Sequence, residues 1–283
     1  MKDICVIIIL YKPDCDNLER LGRLCIEADK FDIVAVDNTP FKNIDYALPK
    51  QIRYIKLEEN KGIAYAQNEG IKQALKDNYD FILFSDQDSN WDVNYPVIMK
   101  DALLGIQKIT PNVAALGPTI IDKATNQKYK QKNTTEDYIA VDTIISSGTI
   151  IPTNILRIVG MMDSSLFIDF VDHEWCWRAK SKGYNIFRAN IISLYHKVGI
   201  RNLRVLGFCF VEAAPFRYYY IYRNYLWLCK RRYVPLKWKI RSGIKNLATI
   251  VLLPLICKGR WKDALSYLLK GLWAGLTKKS NGV

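Results

Sequence analysis

The sequence predicts an α/β protein: a mostly parallel central sheet followed by amphipathic helices at the C-terminal end. Three observations predict it. Short β-branched runs alternate with segments of helical period through the first 200 residues. Acidic side chains gather where those runs stop, the edge at which open α/β sheets bind ligands. Charge is uneven: 1–200 hold 24 basic and 26 acidic side chains, while 201–283 hold 17 basic and only Glu212 and Asp263 as acids. The implied division is a catalytic or binding body, 1–200, and a basic, aromatic-rich helical extension, 201–283, that meets anions.

The elements follow in order. Cys5–Leu10 is a continuous apolar run, the pattern of a strand covered on both faces. Pro13-Asp14 ends it, and Leu18, Leu21, Leu24 and Ala28 recur at helical spacing. Phe31–Val36 is a second strand closed by the turn Asp37-Asn38-Thr39-Pro40. Ile52–Leu57 is a third. Gly62 to Leu75 carries Ala and Ile at helical spacing, and Phe81–Phe84 is a fourth strand ending in Ser85-Asp86-Gln87-Asp88. This alternation argues for right-handed βαβ units. Val113–Leu116 and Ile144–Ile151 read as further strands, separated by a polar hairpin or loop from Asp122 to Asp137. Phe167–Phe170 leads into a helix from Asp172 to Lys182 with Gly183 as its C-cap, and Ile186–Ala189 and Ile192–Tyr195 lead to His196.

Composition excludes several classes. Gly and Pro number 15 and 10 in 283 residues, and 49% of the chain is apolar, which rules out intrinsic disorder. Seven cysteines form no CxxC pair and only two histidines exist, so zinc-finger spacing is impossible and reduced thiols are expected. The N-terminal apolar run is too short for a signal peptide. Pro215 to Tyr233 packs six tyrosines, one tryptophan and five basic residues. Asn246–Cys257 is a 12-residue uncharged run, and Ala264–Leu276 is amphipathic with Trp273. Neither run spans a bilayer unaided, and lying in the interface fits both. Positive charge beside apolar runs, with no groove-reading motif, argues against nucleic acid.

Three constellations carry chemistry. Asp86-Gln87-Asp88 at a strand end is either a solvated turn or a pair of hard oxygen ligands for Mg²⁺ or Mn²⁺ and a diphosphate. In Asn60 to Gly70, Gly62 permits an unusual turn, Asn60 is a potential cap, and Ala64 and Ala66 let the helix start approach a ligand. The alternative is a plain capped helix packed on the sheet. In Asp169 to Glu174, three carboxylates and His173 lie among large aromatics, the setting in which a general base is tuned. Asp172 is there either that base or a helix N-cap.

Together VIIILYKP, VDNT, NKGIAYAQNEGI, FSDQDS, SSGTIIP, FIDFVDHEWCWRAKSKGY and YHKVG resemble an inverting family 2 glycosyltransferase of GT-A fold over roughly residues 4–200, closest to the bacterial rhamnosyltransferase type. The resemblance implies L-rhamnose from dTDP-L-rhamnose, or another sugar from a UDP donor, transferred to a hydroxyl of a polyprenyl-linked glycan. A non-catalytic nucleotide-sugar-binding relative is the third reading. By resemblance Asp172 is the catalytic base, Asp37 contacts the pyrimidine, and Tyr11 and Pro13 line the nucleotide slot. Asn60, Gly62 and Asn68 shape the donor pocket, and Asp86 faces ribose or sugar. Ser147 and Gly148 wall the sugar pocket, Asp88 and His196 hold divalent Mg or Mn, and Arg178 and Arg217 face either diphosphate or a carboxylate. A peripheral position on the cytoplasmic face of a bacterial inner membrane, against anionic lipid, completes the expectation, with an oligomer compatible with it.

Overall fold

A computed structural model describes residues 2–27, 29–40, 46–122, 135–196, 202–205 and 208–278. In chain order the elements are β1 (Ile4–Leu10), α1 (Cys15–Glu27), β2 (Phe31–Asp37), β3 (Arg53–Lys56), α2 (Ile63–Lys76), β4 (Phe81–Asp86), α3 (Tyr95–Ile109), β5 (Val113–Asp122), β6 (Tyr138–Ala140) and β7 (Ile150–Pro152). Then come α4 (Thr153–Val159), a 3-10 turn (Ser164–Leu166), α5 (Val171–Ser181), β8 (Asn185–His196), the hairpin β9 (Asn202–Val205) and β10 (Phe208–Val211), α6 (Pro215–Cys229), α7 (Leu236–Cys257), and α8 (Trp261–Thr277).

Eight strands form one sheet in the order β3-β2-β1-β4-β7-β5-β8-β6. β3, β2, β1 and β4 run parallel, as do β5 and β8; β7 is antiparallel to both neighbours and β6 to β8. β1 lies at the centre of the parallel half. Its odd residues Cys5, Ile7 and Ile9 pack on one face of the sheet and Ile4, Val6, Ile8 and Leu10 on the other, which is why the run lacks polar alternation. α2 approaches β1 so closely that a Cβ on Gly70 would stand 2.4 Å from Ile7 Cγ2.

Four details depart from the sequence reading. Ile144–Ile151 shrinks to the three residues of β7, because Ser146 to Thr149 turn about Gly148 at φ 77°. That turn is pinned to β4, the Gly148 N–H donating to Phe84 O at 2.7 Å. Ile186–Ala189 and Ile192–Tyr195 are one strand, β8, whose register against β5 slips between Gly117 and Thr119, beside the N–H-less Pro118. Helix α3 went unforeseen, although buried Tyr95, Met99, Leu103 and Ile106 spell a helical face. The polar stretch expected from Asp122 begins as the end of β5, and 123–134 lie outside the described residues.

The basic extension packs on the body. Tyr218 and Tyr222 of α6, Leu253 and Ile256 of α7, and Ala264 and Leu268 of α8 build their own small core. Trp227 of α6 reaches the core under the sheet, alongside Trp175 and Leu166.

Candidate functional site

The strands that end together define one edge. Leu10 stands opposite Asp37 and Ile9 opposite Asp86, so β1, β2 and β4 deliver Tyr11, Asp37 and Asp86 side by side. Asp37 is buried; its Oδ2 accepts from Tyr54 Oη at 2.6 Å and its Oδ1 from the Thr39 N–H at 2.9 Å. Tyr11 is half-exposed at the chain's exit from β1, and Pro13 follows it. Gln87, which the sequence reading passed over, straps these exits together. Its Oε1 accepts from the Tyr11 N–H at 2.7 Å and its Nε2 donates to Tyr11 O at 3.2 Å. An amide between two aspartates was the available signal, because a Gln side chain carries a donor and an acceptor on separate atoms.

Asn38, also missed, joins β2 to the approach of α2. Its Nδ2 donates to Asn60 Oδ1 at 3.0 Å and its Oδ1 accepts from the Lys61 N–H at 2.8 Å. Asn60 Oδ1 accepts the Gly62 N–H as well, at 3.1 Å. Gly62 opens α2 with φ 86°, and a Cβ there would lie 2.5 Å from Phe167 O. That carbonyl accepts the Ile63 N–H at 2.8 Å. The helix start expected to face phosphate is therefore capped by the chain itself. Asn68 serves the same loop: Nδ2 donates to Met162 O at 2.8 Å and Ser164 Oγ at 2.9 Å, and Oδ1 accepts from the Met162 N–H at 2.9 Å. Gly62 and Asn68 thus position residues 162–167.

The wall beyond β4 is equally determined. Ser147 Oγ lies 2.6 Å from Ser89 Oγ and accepts the Asp86 N–H at 3.2 Å, while Tyr95 Oη donates to Gly148 O at 2.9 Å. Ser147 and Gly148 fix the backbone from which Asp86 and Asp88 project. Burial lowers the basicity of the Arg20 guanidinium on α1, and the nearby Asp88 carboxylate offsets part of that loss. The His196 side chain lies outside the described residues, and among the described residues no group of three or more His, Cys, Asp or Glu converges on a metal-sized space.

The chain reaches Asp172 through an unusual loop. Phe167, Asp169 and Phe170 have φ of 67°, 67° and 66°, a region bulky residues avoid without outside support. Support comes from α6. Asn224 Nδ2 donates to Leu166 O (2.9 Å), Ile168 O (2.8 Å) and Asp169 O (3.1 Å), and Arg223 Nη2 donates to Ser165 O (2.8 Å) and Leu166 O (2.9 Å). Arg217 pairs with Asp169, so it faces a carboxylate. Arg178 does likewise. It is buried, with Nε and Nη2 on Glu174 at 2.9 and 3.1 Å, Nη1 on Val159 O and Nη2 also on Met161 O, both at 2.7 Å. Of the two readings of Arg178, donor diphosphate or carboxylate, the structure shows the carboxylate, and its place among the donor-binding residues is corrected: its guanidinium is enclosed within the scaffold.

The N-cap of α5 is Phe170, which places Asp172 inside the first turn. Of the two readings of Asp172, the cap is excluded. Its Oδ1 accepts from both the His173 N–H and His173 Nδ1–H at 2.8 Å, and its side chain keeps 23% exposure. It lines a pocket with Phe84, Ser146, Thr149, Met162 and Trp175, which links it to the end of β4. Burial pushes the Asp172 carboxyl up, but the His173 ring and N–H more than offset this and hold it below the usual range. His173→Asn removes the imidazole and leaves the burial. The Asp172 carboxyl is then expected to titrate at higher pH, which its carboxyl resonance in the variant against the parent measures.

Comparison with known proteins bears on the family and the fold. The profile described as Glycosyl transferase family 2 matches residues 5–155, from β1 into α4. A dTDP-rhamnosyl transferase RfbF of Shigella flexneri is 31% identical over 97% of this chain and 94% of its own. Among solved structures, Staphylococcus aureus TarS 1-349 superimposes with TM-score 0.55 at 16% identity, covering 96% of this chain and 81% of its own. GalNAc-T7 with UDP, GalNAc and Mn²⁺ gives TM-score 0.56 at 13% identity over 98% of this chain, which spans 56% of that protein.

Proposed function

The chain belongs to glycosyl transferase family 2, and on that footing we propose that it transfers L-rhamnose from dTDP-L-rhamnose to a hydroxyl of a lipid-linked glycan, inverting the anomeric centre. One observation carries the mechanism: Asp172, its carboxyl held below the usual range, lines a small pocket with Ser146, Thr149 and Phe84 of β4. The donor lies along the edge made by Tyr11, Asp37 and Asp86, its base beside Asp37. Asp172 accepts the proton of the acceptor hydroxyl as that oxygen bonds to the anomeric carbon. The bond from that carbon to the diphosphate breaks in the same step, and the nucleoside diphosphate departs.

Mg²⁺ and Mn²⁺ take one or two protein carboxylates and complete their shells with water and substrate phosphate, and Asp86 and Asp88 at one strand end offer that donor set. Asp88, with His196, would hold the ion, which when bound supplies positive charge against the departing diphosphate. Specificity for rhamnose rests on the Shigella relative, which matches over nearly the whole length of both chains.

Thermal stabilisation by a panel of nucleotide-sugars, with and without Mn²⁺, tests this. The expected result is a metal-dependent rise in Tm that is largest for dTDP-L-rhamnose. A larger rise with a UDP-sugar would keep the transferase and discard rhamnose, and no rise with any donor would overturn both.

A further inference from the structure

The outer face of α7 is apolar and uncovered. Leu236, Ile240, Ile244, Leu247, Val251 and Leu255 follow one another at three- and four-residue steps, and all six are more than half exposed. They form a single stripe along a helix about 33 Å long. The opposite side, Thr249, Leu253, Ile256 and Cys257, is buried against α6 and its neighbours. Helix α8 repeats the arrangement with Leu269, Trp273 and Leu276 at 56%, 70% and 67% exposure. Six large apolar side chains in one row are more than the scattered apolar residues of an ordinary surface.

The charge around the stripe identifies what covers it. Residues 236–278 hold nine basic side chains and a single acid, Asp263. Lys237, Arg241 and Lys270 each follow a stripe residue by one position, about 100° round the helix, and are exposed. A second copy of this chain would bring two such basic rims together, whereas an anionic bilayer takes the apolar row among its acyl chains and the rim at its phosphates. The segment Leu236–Thr277 is also long and apolar enough to cross a membrane by composition alone. Crossing requires an apolar surface all round, and here one side is committed to the protein core while Lys237, Lys239, Arg241 and Lys245 occupy the first ten positions of α7.

We propose that the exposed faces of α7 and α8 form the surface by which this protein lies on an anionic lipid bilayer, parallel to its plane. α7 also touches the site. Trp238 in its first turn packs at 5.3 Å between ring centres on Phe170, the N-cap of the Asp172 helix. One aromatic contact thereby joins the proposed bilayer surface to the start of the helix that carries Asp172. The docking itself does not depend on which sugar is transferred, so the two readings fail separately.

Flotation of the full chain with vesicles tests it. Binding is expected to phosphatidylcholine vesicles containing phosphatidylglycerol, to weaken in high salt, and to be lost from phosphatidylcholine alone. Each basic residue near an anionic surface contributes roughly a five-fold gain in binding. Lys237→Glu with Arg241→Glu should therefore lower the partition coefficient by more than about ten-fold, and Val251→Asp with Leu255→Asp should abolish it. All four side chains are exposed, and unchanged circular dichroism and melting would show the variants folded. Equal binding to neutral and anionic vesicles, resistance to an alkaline carbonate wash, or a stable dimer with no vesicle binding would each overturn the proposal.

Discussion

Asp172→Asn is expected to lower kcat by about 10²–10⁴-fold while leaving donor affinity within about two-fold, the range set by loss of a general base. The substitution suits the site. Asn keeps an oxygen at the same place, so the bonds from the His173 N–H and Nδ1–H persist and the first turn of α5 is undisturbed. Only the ability to take a proton is lost. On the proposed reading the donor lies along the β1–β2–β4 edge, on elements that Asp172 does not bond. Isothermal titration with the nucleoside diphosphate, run beside initial rates at saturating acceptor, separates the two quantities. Equal loss of binding and rate would mean that the carboxylate holds the fold and that chemistry belongs to another residue. Asp172→Glu provides a control for placement, since it keeps the proton acceptor and shifts it by one methylene.

How much of this could be read from the chain follows from the range of each interaction. β1, β2 and β4 were legible because burial on both faces leaves an unbroken apolar run, and the register that aligns Asp37 with Asp86 follows from parallel pairing alone. The pairing of Glu174 with Arg178 was legible too, being an i, i+4 step on one helix. The loop before Asp172 was not. Its three left-handed residues, two of them phenylalanines, contradict local preference and stand because Asn224 reaches their neighbours' carbonyls from 55 to 58 positions away. Gly62 was singled out for the right backbone property and the wrong neighbour: the close approach is to Phe167 of this chain. Polar residues near a ligand edge look alike in sequence whether they hold the ligand or the loop that holds it. Asn60 and Asn68 both bond to the chain itself, and only their partners reveal it.

The same long-range dependence makes Glu174 a costly side chain to remove. It is fully buried on α5, two residues from Asp172. Its carboxylate receives Arg178 on both oxygens, Arg231 Nη1 at 3.2 Å and Tyr233 Oη at 2.6 Å. Burial and Glu174 itself push the Tyr233 phenol up to about 12, so it remains a donor at every working pH. Arg231 also pairs with the buried Asp163, at the head of the loop that Asn224 holds. Glu174→Ala leaves the Arg178 guanidinium enclosed with only the Val159 and Met161 carbonyls, and the expected cost is about 3–5 kcal/mol in urea unfolding. Replacing both partners, Glu174→Leu with Arg178→Met, should recover most of that loss, since an apolar pair of similar volume leaves no uncompensated charge. Stability and rate would then part. The double variant regains its Tm, but α5 has lost the carboxylate through which Arg231 and Tyr233 of the extension grip it. Its kcat is expected to stay below the parent's with KM for the donor unchanged. Full recovery of both would mean that the ring serves folding alone, and that Asn224 by itself is enough to set the position of Asp172.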